Sequence, residues 1–144
     1  DTGDQTTAVY AWIAKQDQTR VHAVKGKRGY DINAPVGTPT NIPFGARRKA
    51  IRLRSITGDV FKSELYRFLG LKRPSDEDHV EKGYPPGWVH VPDHLDAEWC
   101  RQLVAERRVR LKTGRYEWRK EHPRNEALDC RVYARAALWT LGVA

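Results

Sequence analysis

Cysteine is scarce in this chain of 144 residues: Cys100 and Cys130, thirty positions apart, are the two it has. Neither stands at zinc spacing from another cysteine or a histidine, and each falls in a helical apolar pattern. A zinc module and a disulfide framework are therefore not expected, and two reduced, buried thiols are. Long apolar runs are also missing. Stretches such as Ala136-Ala137-Leu138-Trp139 fall far short of the ~20 residues a membrane-spanning helix needs. The opening Asp1-Thr2-Gly3-Asp4 is polar and acidic, unlike a secretory leader. A soluble intracellular protein with no membrane partner is expected. The five histidines, His22, His79, His90, His94 and His122, show no ligand spacing, and they read as structural or surface groups. No Ser-His-Asp or Cys-His nucleophile can be assembled, and there are no repeats or low-complexity tracts.

What is abundant is positive charge. Twenty-six Lys and Arg against eighteen Asp and Glu give +8, with a pI near 9.7. Such a surface concentrates polyanions, and nucleic acid is the first partner to consider. A length of 144 residues with 40% hydrophobic and 31% charged residues fits one domain, 1–144, with a real core. A turn reading Asp-Thr-Gly normally follows a hydrophobic strand, so the chain is expected to be the C-terminal portion of something longer.

Hydrophobic spacing predicts a helix over 6–16, with Ala8, Val9, Trp12 and Ile13 inward and Thr6 or Thr7 as cap. A short strand over 20–25 follows, then the basic turn 26–29. Residues 30–49, with three prolines and two glycines, read as a long loop ending in Arg47-Arg48-Lys49. Clean alternation over 50–56 predicts a half-buried strand, and 60–69 a helix with Phe61, Leu65, Phe68 and Leu69 inward. After a loop over 73–87, the pattern predicts a strand over 88–91 and a helix from an Asp93 cap to about 106. Strands over 107–111 and 116–120 flank Thr113-Gly114 as a hairpin. A last helix over 126–141 buries Leu128, Val132, Ala136 and Trp139. The class is mixed α/β.

Three carboxylates stand at strand ends or first helical turns: Asp1, Asp59 and Asp129. Such positions converge readily at one sheet edge, where hard Mg²⁺ or Mn²⁺ ions take oxygen ligands and can serve phosphodiester hydrolysis. For Asp59 and Asp129 the plainer role is a helix cap or a partner of the helix dipole. Asp129, between Leu128 and Cys130 beside an apolar seam, fits that role less well, because a carboxylate there is costly without a partner. For phosphate contact the candidates are Lys25, Lys27, Arg28, Arg47, Arg48, Lys49 and Lys62, with Arg101, Arg107, Arg108, Arg110, Lys112 and Arg115 behind them. Taken singly, most of these are solvated surface cations.

Three segments resemble the nuclease domain of phage terminase large subunits of the lambda type. They are Asp1-Thr2-Gly3 with Thr7-Ala8-Val9-Tyr10 and the following Arg20-Val21-His22-Ala23-Val24-Lys25-Gly26; Thr57-Gly58-Asp59-Val60-Phe61-Lys62-Ser63-Glu64-Leu65-Tyr66-Arg67; and, most specific, Arg124-Asn125-Glu126-Ala127-Leu128-Asp129-Cys130-Arg131-Val132-Tyr133-Ala134. Gly87-Trp88-Val89-His90-Val91-Pro92 and Gln102-Leu103-Val104-Ala105-Glu106 resemble it too. The resemblance implies an RNase H-like fold, a mixed sheet flanked by helices, and two-metal cleavage of double-stranded DNA at genome packaging in the host cytoplasm. It implies a small terminase subunit and a portal protein as partners. Asp1 and Asp129 match metal-binding carboxylates, and Asp59 an acidic position near the same edge. The family's first acidic residue, on a strand reading roughly GVDVQ, has no counterpart here, and neither has the P-loop of its ATPase half. The chain is thus expected to lack its N-terminal strands and one metal ligand. Two other readings stay open: a non-catalytic fragment that holds DNA or a portal protein, and an RNase H-like nuclease of resolvase type.

Overall fold

Strand alternation near residue 50 organises the first half of the molecule. In the computed structural model, which describes residues 5–29, 33–46 and 49–142 with the Lys49 side chain excepted, the elements run α1 (Thr6–Ile13), β1 (Ala23–Lys27), β2 (Thr40–Phe44), β3 (Lys49–Thr57), α2 (Gly58–Leu69), α3 (Asp76–Lys82), α4 (Ala97–Leu103), β4 (Glu106–Arg110), β5 (Tyr116–Lys120) and α5 (Glu126–Thr140). The mixed α/β class is as expected. The chain divides into two compact units, residues 1–60 with 136–144, and residues 61–135.

In the first unit β3 is the central strand of a three-stranded sheet, parallel to β1 and antiparallel to β2. Ile51 is fully buried and packs with Ile13 and Ala23, while Val9, Tyr10, Phe44 and Leu53 close around them. Burying a side chain such as Ile51 contributes about 1.5–3 kcal/mol. Gln18 extends the sheet where β1 has not yet begun. Its amide donates to Ala50 O (3.0 Å) and its carbonyl accepts from Arg52 N (2.7 Å).

The expected loop over 30–49 contains a strand instead. Within it β2 pairs Ile42 with Ile51 and Phe44 with Lys49, and Val36 bridges Ile56. Pro43 hid this strand, but β2 lies at the end of the sheet order, where a missing N–H costs no ladder bond. Trp12, expected inward, is 54% exposed, and α1 follows Gln5 without a side-chain cap.

In the second unit Leu65 of α2, Leu103 of α4 and Ala127 and Leu128 of α5 form the core, lined by Tyr66, Val89 and Trp99. The β4–β5 hairpin turns at Gly114 (φ +82°) with Glu106 opposite Lys120. The expected strand over 88–91 does not form. That segment is fixed by rings, with Tyr84 stacked on Trp88 at 5.1 Å and edge-on to His90 at 4.9 Å. The cap of α4 is Asp96, which accepts from Trp99 N (2.8 Å), so Asp93 is not the cap. Helix α3 was not expected. It has a Ser75 cap but buries no residue, so no apolar period announced it. Both cysteines lie in helices as expected, but Cys100 and Cys130 are exposed, which corrects the reading of buried thiols. Among the described residues no helix is long and apolar enough to cross a membrane.

Candidate active site

The second unit brings two carboxylates together on structural supports of different kinds. Glu106 is the first residue of β4 and is only 8% exposed. Asp129 lies in the first turn of α5. Between them stands Asn125, whose amide nitrogen donates to Glu106 Oε1 at 3.1 Å and to Asp129 Oδ2 at 3.3 Å. The second oxygen of Glu106, Oε2, receives the Lys62 ammonium at 2.6 Å.

The sequence explains why these groups meet. In α2, Lys62 and Tyr66 are one turn apart and therefore share a face, beside the buried Phe61 and Leu65. The Tyr66 hydroxyl donates to Glu106 O and accepts from Glu106 N at 3.2 Å, so one side chain fixes the backbone of Glu106 at both polar groups. Its ring packs against Trp118 of β5 at 5.0 Å. In α5, Asp129 N donates to Asn125 O at 3.0 Å, which starts the helix and sets Asp129 one turn beyond Asn125.

Burial pushes the Asp129 carboxyl above its usual range; Glu106 and Glu126 add to the rise, while Lys62 and Lys120 oppose it. Burial likewise raises the Tyr66 and Tyr133 hydroxyls, the latter also through the charge of Asp129, so both remain protonated donors at neutral pH. A second polar cluster joins α4 to the turn before α5. Glu98 accepts from His122 Nε2 (3.1 Å), Gln102 and Arg101. The His122 bond leads these contacts in holding the Glu98 carboxyl down to about 2.

Of the residues expected at a site, Lys62 and Asp129 belong to this network. Lys62 is engaged with Glu106. Asp59 stands in the first unit, in the first turn of α2, where its Oδ2 accepts from Gly29 N at 3.0 Å. It is a helical residue and not the cap itself, and it clips the basic turn to the end of the parallel β1–β3 pair. Lys25, Lys27 and Arg28 are exposed on β1 and that turn. Asp1, Arg47, Arg48 and the Lys49 side chain lie outside the described residues.

Sequence reasoning missed Glu106, Asn125 and Tyr66 as site residues. Asn125 stood in the most specific matching segment and Glu106 ended another, so the signal was present. Their charge and polarity, however, looked like ordinary surface next to Arg107, Arg108 and Arg124.

The donor chemistry fits a hard divalent cation: two carboxylates, partly desolvated and already facing a positive charge. Among the described residues no group of three or more His, Cys, Asp or Glu is arranged to hold a metal ion, so this pair supplies at most two ligands. The hairpin that Glu106 opens carries exposed Arg107, Arg108, Arg110, Lys112 and Arg115, with Arg108 over the Tyr116 ring at 4.1 Å. Anionic substrate is favoured next to such a surface.

A family model described as the terminase large subunit gpA endonuclease domain matches residues 1–144. The chain is similar to the terminase large subunit of Escherichia phage lambda, with 35% identity over 145 residues, covering 96% of this chain and 21% of that protein. The chain thus spans about a fifth of the length of the curated relative it matches. No solved structure matches it significantly.

Proposed function

Because the chain belongs to the terminase large subunit gpA endonuclease-domain family, we propose that it hydrolyses phosphodiester bonds of double-stranded phage DNA during genome packaging, using Glu106 and Asp129 as cation ligands. One observation carries the assignment of the site. A carboxylate pair, Glu106 buried and Asp129 half-buried, joined by Asn125 and balanced by Lys62, lies at the root of an arginine-rich hairpin.

Glu106 and Asp129 would hold Mg²⁺ or Mn²⁺. When bound, the metal supplies charge neutralisation at phosphate and a water acidified enough to attack at neutral pH. The chain's own residues do the rest. Tyr66 fixes the backbone of Glu106, and Lys62 balances the charge of that carboxylate. The exposed arginines of β4 and the turn, with Lys25, Lys27, Arg28, Arg47, Arg48 and Lys49, hold the backbone of the duplex.

The RNase H-like architecture belongs to the same proposal; a central β3 parallel to one neighbour and antiparallel to the other supports it. The single-domain organisation of 1–144, the host cytoplasm as compartment, and the small terminase subunit and portal protein as partners belong to the proposal as well. The test is plasmid cleavage with Mg²⁺ or Mn²⁺ by the full-length protein. Glu106→Gln and Asp129→Asn are each expected to reduce the rate by about 10²–10³-fold, the scale of losing an electrostatic group used in the transition state. Wild-type cutting by either variant would refute the site.

A further inference from the structure

We infer that Asn125 is a positioning residue for the cation site, its one amide nitrogen setting the separation of the Glu106 and Asp129 carboxylates before any ion arrives. The inference rests on the proposed role of those two acids and adds a residue to it.

The geometry is specific. A primary amide has two N–H bonds, and here they reach two different carboxylates, Oε1 of Glu106 at 3.1 Å and Oδ2 of Asp129 at 3.3 Å. The flipped amide would turn its oxygen toward both anions, so the network fixes the orientation. Asn125 is anchored from behind, because its own carbonyl accepts Asp129 N at 3.0 Å. It therefore ties the acid of α5 to the acid of β4, reaching back nineteen positions to Glu106 and forward four to Asp129.

The choice of a neutral donor follows from charge. Glu106, Asp129 and Lys62 together leave the cluster one unit negative. An Arg or Lys at position 125 would cancel that charge and repel a divalent cation. An amide provides the same hydrogen bonds and leaves the attraction intact. Without it, two acids in a partly desolvated site repel each other, and an arriving ion must bring them together itself. Partners of this kind, which orient ligands without touching the metal, typically change metal affinity by about 10–100-fold.

The experiment is a Mn²⁺ titration of the full-length protein followed by electron paramagnetic resonance, read as the bound signal that Glu106→Gln and Asp129→Asn abolish. Asn125→Ala removes both hydrogen bonds. Asn125→Ser retains an oxygen able to cap α5 but is too short to reach both acids. Both variants are expected to bind Mn²⁺ about 10–100-fold more weakly, with most of the cleavage rate returning at saturating Mn²⁺. Wild-type Mn²⁺ affinity in Asn125→Ser overturns the positioning role while leaving the acids' role standing. If Glu106→Gln and Asp129→Asn also retain the Mn²⁺ signal, the reading beneath it falls as well.

Discussion

Replacing Lys62 with methionine removes one charge from the site and little else. Its ammonium lies 2.6 Å from Glu106 Oε2, with the two side chains 16% and 9% exposed. At that distance and an effective dielectric of about 20, the gross attraction is about 6 kcal/mol. Much of it offsets desolvation, but removing one partner leaves the other charge buried and unbalanced, which costs about 3–5 kcal/mol. Asn125 still donates to Glu106, so the lower end applies, about 3 kcal/mol. For a chain of this size that lowers Tm by about 9 °C. The assay is urea unfolding followed by tryptophan fluorescence, with an unchanged m-value showing that stability alone has moved. Lys62→Met/Glu106→Gln is expected to recover all but about 1 kcal/mol, because the stranded charge is gone. Saturating Mg²⁺ should stabilise Lys62→Met more than wild type, since the ion replaces the missing cation. A loss below about 1 kcal/mol, or additivity around the double-mutant cycle, would refute the reasoning.

Tyr66→Phe retains the ring against Trp118 and deletes the hydroxyl that serves both backbone groups of Glu106; a loss of about 2 kcal/mol in denaturant titrations is expected, together with slower cleavage. Gly87→Ala places a methyl 2.4 Å from the Phe68 ring at φ +87°, so strain and overpacking together cost about 2–4 kcal/mol. Gly114→Ala, at φ +82° with nothing within 4 Å, carries only the strain and should lose visibly less in the same thermal melts. Glu98 has a folded pKa of about 2 against 4.5 unfolded, led by the His122 bond. A depressed carboxyl contributes stability that is present above 4.5 and lost as pH falls through about 2. His122→Ala should therefore raise the Glu98 pKa in an NMR titration and move acid unfolding to higher pH.

Elements that carry an apolar period were legible in the sequence. Helix α5 and the β4–β5 hairpin lie within a residue or so of the pattern, because Leu128 and Val132 repeat with the helical period and Thr113-Gly114 marks the turn. The pattern failed where another force sets the element. Helix α3 is held by its Ser75 cap and buries nothing, so there was no hydrophobic stripe to read. Strand β2 exists because β3 offers it a ladder, and Pro43 speaks against it until its place at the end of the sheet order is known. Residues 88–91 read as a strand yet pair with no strand among the described residues, and aromatic stacking around Tyr84 takes the place of a ladder.

The site was half legible for a related reason. Asp129 could be singled out because its own neighbours, Leu128 and Cys130, place a carboxylate beside an apolar seam. Nothing local marks Glu106, which precedes Arg107 and Arg108 and looks like one more charge on a solvated strand. Its burial comes from α2, forty-odd positions earlier, through Lys62 and Tyr66, and from Asn125 nineteen positions later. A buried acid of this kind is defined by its partners and not by its flanks. Well-packed apolar side chains in place of such a pair are often neutral or stabilising, so an ion pair of this kind is weak evidence of a purely folding role. That a half-buried lysine, a bridging amide and a clamping tyrosine are all committed to one glutamate is thus hard to explain by folding alone, and readily explained by a need to present its carboxylate to a cation.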